Sequence, residues 1–511
     1  MSQSLDLARQ GTDLVYFTYA GKPLLSFGGM SDFMFYADRD ALDYKLWANW
    51  ASNHGMNHLR TYPPLSYKRV EYFTLENGGK VHENIFPYLE TTPGSRVFDL
   101  ERFNPKYWKR FRSQCAYLQK KGIIIHLLLW NGWQMSASKK TYPFVGSNID
   151  WGGHFFNPDV NCNTYTDHLK GSKDAHYQIY HAVTDKRDSL VQAQKRYFSK
   201  LVEETADLGN VYYDLIHEIG EHYREEEKVK EWIDTMATHI RSEFERVNPS
   251  GRCIMGMDVG GLPIDGDKWW FVNDSLPQKD SFVDWIFDRP YFNLLIFGKS
   301  HQPRHIKNWR KHYKKPYIPQ ESWDNEGGKY TLLRPEQHNH IRKYMWKMMM
   351  LKVQQMDLYV KKINKTNPNM PKYPHNYDPR GINKFENDSK ILRRFWQTIQ
   401  DYSNLTESGH IINAPSPNNF ILGSSKEVLA YYSSKTGEEN IDFKISASSV
   451  NDVPLDPSKG YSIHYISPTS GEIVKADSLI LQGKKIELDL PPFRDDLMVH
   501  IFLSEVKPKE L

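Results

Sequence analysis

The strongest constraint on the fold is an alternation in which eight short apolar, strand-like runs are separated by longer amphipathic segments. The runs are Leu24 to Met30, Met56 to Tyr62, Ile123 to Trp130, Val211 to Glu218, Cys253 to Val259, Phe282 to Phe287, Tyr317 to Glu321 and Met356 to Val360. Repeated β-then-α units are the pattern of a parallel sheet wrapped by helices, and eight of them predict a (β/α)8 TIM barrel. Ile123 to Trp130 is nearly all apolar, as suits a parallel strand covered on both faces. Ala41 to His54 and Pro335 to Val353 each gather their large apolar residues on one helical face. Ahead of the barrel, two apolar arms flank the turn cluster Ala20-Gly21-Lys22-Pro23 and predict an opening hairpin. Gly28-Gly29 and Gly260-Gly261 read as strand-to-loop turns.

From about Gly409 the apolar period falls to two. Ile441, Phe443 and Ile445 alternate with polar residues, as do Tyr461, Ile463 and Tyr465, then Ile486, Leu488 and Leu490, and finally Leu497, Val499, Ile501 and Leu503. Turn clusters such as Asp456-Pro457-Ser458-Lys459-Gly460 separate these half-buried antiparallel strands, which predict a small all-β sandwich. The predicted organisation is a catalytic α/β barrel over 1–408, with its opening hairpin, followed by a β-sandwich domain over 409–511.

Charge and cysteine content exclude several function classes. The 66 Lys and Arg are nearly matched by 62 Asp and Glu and are scattered among them, so no nucleic-acid footprint is present. No apolar stretch approaches the roughly 18 residues of a membrane span. The start, MSQSLDLARQGTDL, has neither an apolar core nor a small-residue cleavage site; the expectation is a cytoplasmic protein, or a secreted or periplasmic one whose signal has been removed. Cys115, Cys162 and Cys253 lie far apart, which predicts free thiols. The HEIGEH segment is not a zincin helix, because His217 and His222 are five residues apart and Glu221 holds the i+4 position. The opening of an EF-hand loop around Asp159 lacks its Gly and Glu, with Thr164 and Lys170 in their places. No Gly-rich phosphate loop is present, and neither metal nor cofactor is expected.

In a barrel the active site forms at the carboxyl ends of the strands, and two glutamates fall there. NVYYDLIHEIGEHY ends its apolar run at His217-Glu218, and KPYIPQESWDN ends its run at Glu321. A pair of carboxylates is what glycosidic bond cleavage requires, one to protonate the leaving oxygen and one to attack the anomeric carbon or activate water. Aromatic residues near the predicted strand ends suit pyranose stacking, and Trp130 and Trp323 are the best placed of them. Lys139, Lys140, Arg289, His301, Arg304 and His305 could bind sulfate or carboxylate groups of an anionic glycan.

These two segments resemble the strand-four and strand-seven motifs of clan-A retaining glycoside hydrolases. HGMNHLRTYP is similar to the strand-two segment carrying that family's active-site arginine, and FFNPDVNCNTY to the loop before its third helix. YSIHYISPTSGEIV and LPPFRDDLMVHIF resemble the β-sandwich appended to cellulase-like barrels. The resemblance implies that Glu218 is the acid/base, Glu321 the nucleophile, Arg60 the arginine supporting it, and Tyr291 the strand-six tyrosine. The substrate-binding candidates are thus Arg60, Trp130, Asn131, His217, Tyr291 and Trp323. One residue departs from the pattern: the position before the acid/base is usually Asn, which bonds the sugar 2-hydroxyl, and here it is His217. The resulting expectation is a retaining glycoside hydrolase on a poly- or oligosaccharide, with an anionic glycan among the candidate substrates. The alternatives are an inactive carbohydrate-binding barrel and a transglycosylase using the same carboxylates.

Overall fold

The computed structural model describes residues 4–10, 14–30, 34–35, 43–76, 78–135, 141–170, 175–217, 219, 225–260, 263–265, 268–269, 279, 281–297, 303–319, 338–358, 383–413, 418–434, 441–444, 447–481 and 483–504. The chain opens with a hairpin, β1 (Leu5–Gln10) antiparallel to β2 (Leu14–Tyr19); the turn predicted at Ala20-Gly21 comes after it, where β2 also pairs antiparallel with Lys22 and Pro23. Eight parallel strands follow: β3 (Ser26–Met30), β4 (His58–Thr61), β5 (Ile124–Asn131), β6 (Val211–His217), β7 (Met255–Gly256), β8 (Leu295–Phe297), β9 (Tyr317–Pro319) and β10 (Gln355–Leu358). Six of them form one sheet in the order β7-β6-β5-β4-β3-β10. The parallel pair β8-β9 joins its β7 edge through the bridge Asp258↔Ile296, and β9 lies beside β10, so the sheet curls round on itself.

The helices between the strands include α1 (Tyr44–Asn53), α2 (Tyr67–Glu76), α3 (Pro105–Lys120), α4 (Asp188–Thr205), α5 (Glu226–Val247), α6 (Phe282–Asp288), α7 (Pro303–Tyr313), α8 (His338–Met350) and α9 (Asn383–Thr398). Their starts are legible in the chain: Asp43 caps α1 through bonds from Lys45 N and Leu46 N, and Asn104 caps α3 with Pro105 at its first position. Among the described residues no helix is long and apolar enough to cross a membrane.

Two local expectations are corrected. Phe282 to Phe287, read as the sixth strand, is helix α6; the Ser281 side chain caps it at Asp284 N, and Phe282, Val283, Ile286 and Phe287 bury one face at helical spacing. The sixth strand is the next apolar run, β8. Gly28-Gly29 lies inside β3 rather than in a turn, because a Cβ at Gly28 would stand 2.1 Å from the His58 carbonyl oxygen of β4.

The hairpin plugs the amino-terminal end of the barrel. Leu5, Leu7 and Phe17 pack with Ile124, Tyr212, Ile254, Ile296 and Ile318, one large residue from each of several strands. Gln354, just before β10, donates to Phe17 O and accepts from Phe17 N, which locks the plug to the barrel.

Beyond α9 the described residues form strands, as expected. β11 (His410–Ile412), β14 (Ala447–Asn451) and β17 (Lys485–Asp489) make one sheet. β12 (Asn418–Gly423), β13 (Glu427–Ser433), β15 (Gly460–Ile466), β16 (Ile473–Ile480) and β18 (Asp496–Leu503) make a second, in the order β12-β13-β18-β15-β16. The larger sheet is buried on both faces at its centre, where half-buried strands were expected. Val428, Ala430, Val499 and Ile501 pack towards Val450, Ile486 and Leu488 of the smaller sheet. Leu429, Tyr431 and Met498 join the barrel's own core, with Tyr431 stacked on Trp346 of α8 and His500 against Phe395 of α9.

Candidate active site

The carboxyl ends of β4, β5 and β6 bring three of the candidate residues together. Arg60 is the third residue of β4, and Asn131 and His217 end β5 and β6 as register partners. All three side chains are buried. The Arg60 guanidinium donates from Nη2 to His217 Nε2 at 2.9 Å and lies 3.1 Å from Nδ1. His217 Nδ1 lies 2.9 Å from Asp258 Oδ2, and since a carboxylate accepts only, the imidazole carries its proton on Nδ1 there and presents the Nε2 lone pair to Arg60.

Asp258 was not singled out in the sequence, and it organises the site. Its Oδ1 accepts from Gly260 N at 2.8 Å, and its own backbone N–H donates to Asp214 Oδ1 at 3.0 Å. Asp214 Oδ2 stands 3.4 Å from His126 Nε2 one layer deeper, where His126 stacks on Tyr212. His58 bonds Gln355 Nε2 at 2.7 Å in the same layer. Burial pulls the His58 pKa down to about 3 and His126 well below the usual imidazole range, and the Arg60 charge pushes both further in that direction. These two rings are neutral struts under a charged guanidinium. The available signal was a single polar residue inside each apolar run: His126 in IIIHLLLW, Asp214 in VYYDLI and Asp258 in IMGMDVGG.

Trp130 is corrected from sugar platform to core. It sits one residue before Asn131, and adjacent strand residues face opposite sides of the sheet. Its ring is fully buried between β5 and the helices, against Phe198 and Tyr197 of α4 and Trp232 of α5. Phe155 and Phe156 are likewise core. Tyr291 is also corrected: it precedes β8, at the amino-terminal end of the barrel, and its hydroxyl donates to Asp234 of α5. Burial and that carboxylate hold its pKa well above the usual phenol value. Arg289 lies at the same end, over the Trp285 ring at 4.6 Å.

Glu218, Glu321 and Trp323 lie outside the described residues, as do Lys139, Lys140 and His301. In chain position Glu218 directly follows β6 and Glu321 comes two residues after β9. Among the described residues no cluster of three or more His, Cys, Asp or Glu is placed to hold a metal ion. Cys115 and Cys253 are buried free thiols and Cys162 is an exposed one.

A curled parallel sheet of eight strands with its polar residues converging at the carboxyl ends defines a TIM-barrel protein. Its fold is similar to that of solved glycoside hydrolases over nearly the whole chain. One, described as a glycoside hydrolase, is 11% identical, with 99% of this chain and 98% of that one covered and a TM-score of 0.54. A glycoside hydrolase family 5 structure from Bacteroides vulgatus is 13% identical over 98% of this chain and 94% of that one, with a TM-score of 0.53. A second Bacteroides vulgatus protein, provisionally assigned as a glycoside hydrolase, is 12% identical over 98% and 82%, with a TM-score of 0.57. No family model matches the chain, and no curated protein matches it by sequence.

Proposed function

We propose that this protein is a glycoside hydrolase acting on a poly- or oligosaccharide by retaining double displacement. Glu321 attacks the anomeric carbon while Glu218 protonates the leaving oxygen; Glu218 then deprotonates the water that releases the sugar. The observation that carries this reading is the joining of Arg60 to His217 at the carboxyl ends of β4 and β6, immediately before Glu218, in a fold similar to glycoside hydrolases. A buried guanidinium favours ionised carboxylates near it, which is the state a nucleophile needs.

His217 takes a role distinct from that of an asparagine. Its two nitrogens are engaged by Asp258 and Arg60, so the imidazole holds the arginine in place rather than reading a sugar hydroxyl. The same engagement favours a second reading, an inactive carbohydrate-binding barrel. A transglycosylase would use the same two carboxylates. Sulfated and uronic glycans belong in the substrate panel, although Arg289, among the cations suggested for them, lies at the far end of the barrel.

The strands after about residue 409 form, in this proposal, a β-sandwich domain over 409–511 that braces the barrel of 1–408. The Arg342–Asp496 pair and the packing of Tyr431 on Trp346 support that role.

The test is a product screen of the wild type, Glu321→Ala and Glu218→Gln against neutral, sulfated and uronic polysaccharides and their oligosaccharides, read by carbohydrate electrophoresis and mass. Products from the wild type alone are expected. Full activity in either variant refutes the assignment of the carboxylates. Glycan binding by all three proteins with no product moves the weight to the binding barrel.

A further inference from the structure

At the opposite end of the barrel from Arg60 and His217, a groove of about 800 Å³ runs between α7, the turn after α8, the segment 405–411 and β12. Its inner wall carries two cations, Arg310 of α7 and Lys352 between α8 and β10, which are only 8% and 7% exposed. Among the described residues neither forms an ion pair with a carboxylate, although the charge of Asp401 acts on Lys352. Arg310 Nη1 donates to Leu351 O at 2.5 Å, and Lys352 Nζ donates to Leu405 O and lies over the Tyr402 ring at 4.8 Å. Lys307 and Lys311 of α7 add two more charges at the rim, and Glu407 pairs with Lys307. Leu351, Leu405, Phe420 and Leu422 supply apolar wall, and Thr406, His410 and Asn419 add neutral polar groups.

Burying one charge without a counterion is costly, and burying two beside each other more so. Carbonyl oxygens satisfy the N–H donors here, and Asp401 compensates the charge only in part. Burial and the charge of Arg310 pull Lys352 down to about 7, against the opposing pull of Asp401, and burial lowers Arg310 as well. Both groups are thus held in a state that a bound anion would relieve. The volume is that of a small-ligand site, and an apolar wall facing a cationic one suits an oxyanion carried on a compact organic body.

We propose that this groove is a second binding site, separate from the proposed glycosidase site, for a small ligand bearing a carboxylate, sulfate or phosphate group held by Arg310 and Lys352. The anion seats against the two buried cations, and the body of the ligand lies along Phe420 and Leu422. Binding restores the Lys352 proton, so affinity falls as pH rises from 6 to 9. The groups facing that amine are Arg310, Lys307 and Lys311 from α7, Asp401 and Tyr402 after α9, and Glu407 and His410 at the rim.

The experiment is isothermal titration of the full chain with sodium sulfate, sodium phosphate and sodium glucuronate, with glucose as the neutral control. It is run in two buffers of different ionisation enthalpy at pH 7.5, on wild type, Lys352→Met and Arg310→Gln. Saturable binding of at least one anion, accompanied by proton uptake and weakened at least tenfold in Lys352→Met, is the expected result. Preference for glucuronate over both inorganic anions assigns the ligand as an acidic sugar, and preference for sulfate or phosphate assigns an ester of that acid. Lys352→Met removes a buried charge and is expected to fold; wild-type proton uptake provides a readout that needs no variant. The proposal is overturned if no anion binds saturably, if the wild type takes up no proton, or if Lys352→Met binds as the wild type does. None of these results depends on whether the barrel hydrolyses a glycan.

Discussion

Replacing Asp496 by alanine removes the buried acid that ties the C-terminal strands to the barrel. Its Oδ2 accepts from Arg342 Nε at 3.1 Å and from the Tyr431 hydroxyl at 3.0 Å, and its Oδ1 accepts from Arg342 Nη2 at 3.0 Å. The two side chains are 3% and 0% exposed, so water cannot take over when one partner is lost. Breaking such a pair from one side costs roughly 3–5 kcal/mol, because the remaining charge stays buried. The charge of Asp388 on α9 also acts on Arg342, which sets the expectation near the lower end, about 3 kcal/mol. With an m-value above about 3 kcal/mol/M for a unit of this size, the urea midpoint falls by somewhat under about 1 M. The assay is urea unfolding followed by tryptophan fluorescence, in which Trp346 reports on the junction through its stack on Tyr431. The double variant Arg342→Met with Asp496→Leu should recover most of the loss, since an apolar pair replaces a buried ionic one at little net cost. A loss below about 1 kcal/mol in Asp496→Ala, or separate unfolding of the C-terminal strands in the wild type, would refute the bracing argument.

Two further outcomes follow from burial. Trp130→Ala should cost about 3–5 kcal/mol in thermal or chemical unfolding; unchanged stability with weakened glycan binding would return Trp130 to the cleft. Lys352, held at about 7 when folded, is protonated in the unfolded chain up to its ordinary value of 10.5. Between those pH values the unfolded state binds the extra proton, so wild-type stability gains from this group as pH rises, by up to about 5 kcal/mol across the window. Below pH 7 that contribution is flat. Unfolding free energies of the wild type and Lys352→Met from pH 6.5 to 10 should differ by this slope, and parallel curves would show that the amine is not desolvated.

Most strand positions were legible because a parallel strand buried on both faces is written as an unbroken apolar run, as in Ile123 to Trp130. The sixth strand was misplaced because six apolar-rich residues are compatible with either state, and the arbiter was outside the run: the Ser281 side chain that caps α6 at Asp284. Arg60 was reached through the resemblance of HGMNHLRTYP to a strand-two motif, and His217 through its place at the end of an apolar run. Level in the barrel is not face, however, and Trp130 shows the difference, since its neighbour Asn131 takes the inward side and Trp130 the helix side. Tyr291 was misplaced with the strand on which it depended.

Asp258 escaped because its role is relational. Its place as the one charged residue in an apolar run marks it, but its partner is fixed only when β7 is set beside β6 and its carboxylate meets His217. The same limit governs the C-terminal strands and the cationic groove. Glu427 to Ser433 alternates in no way that names its second neighbour, yet every residue of it is buried, because α8 and α9 cover one face and the smaller sheet the other. Arg310 and Lys352 lie far apart in the chain, each in a segment that reads as an ordinary basic helix end or turn. Packing α7 beside the turn after α8 and closing both under β12 makes them a buried pair of like charges. A pair of that kind is stable only at a cost that some contact must offset, and the carbonyls beside them offset the hydrogen bonds alone. The unbalanced term is charge, so the groove is expected to respond to anions and to pH.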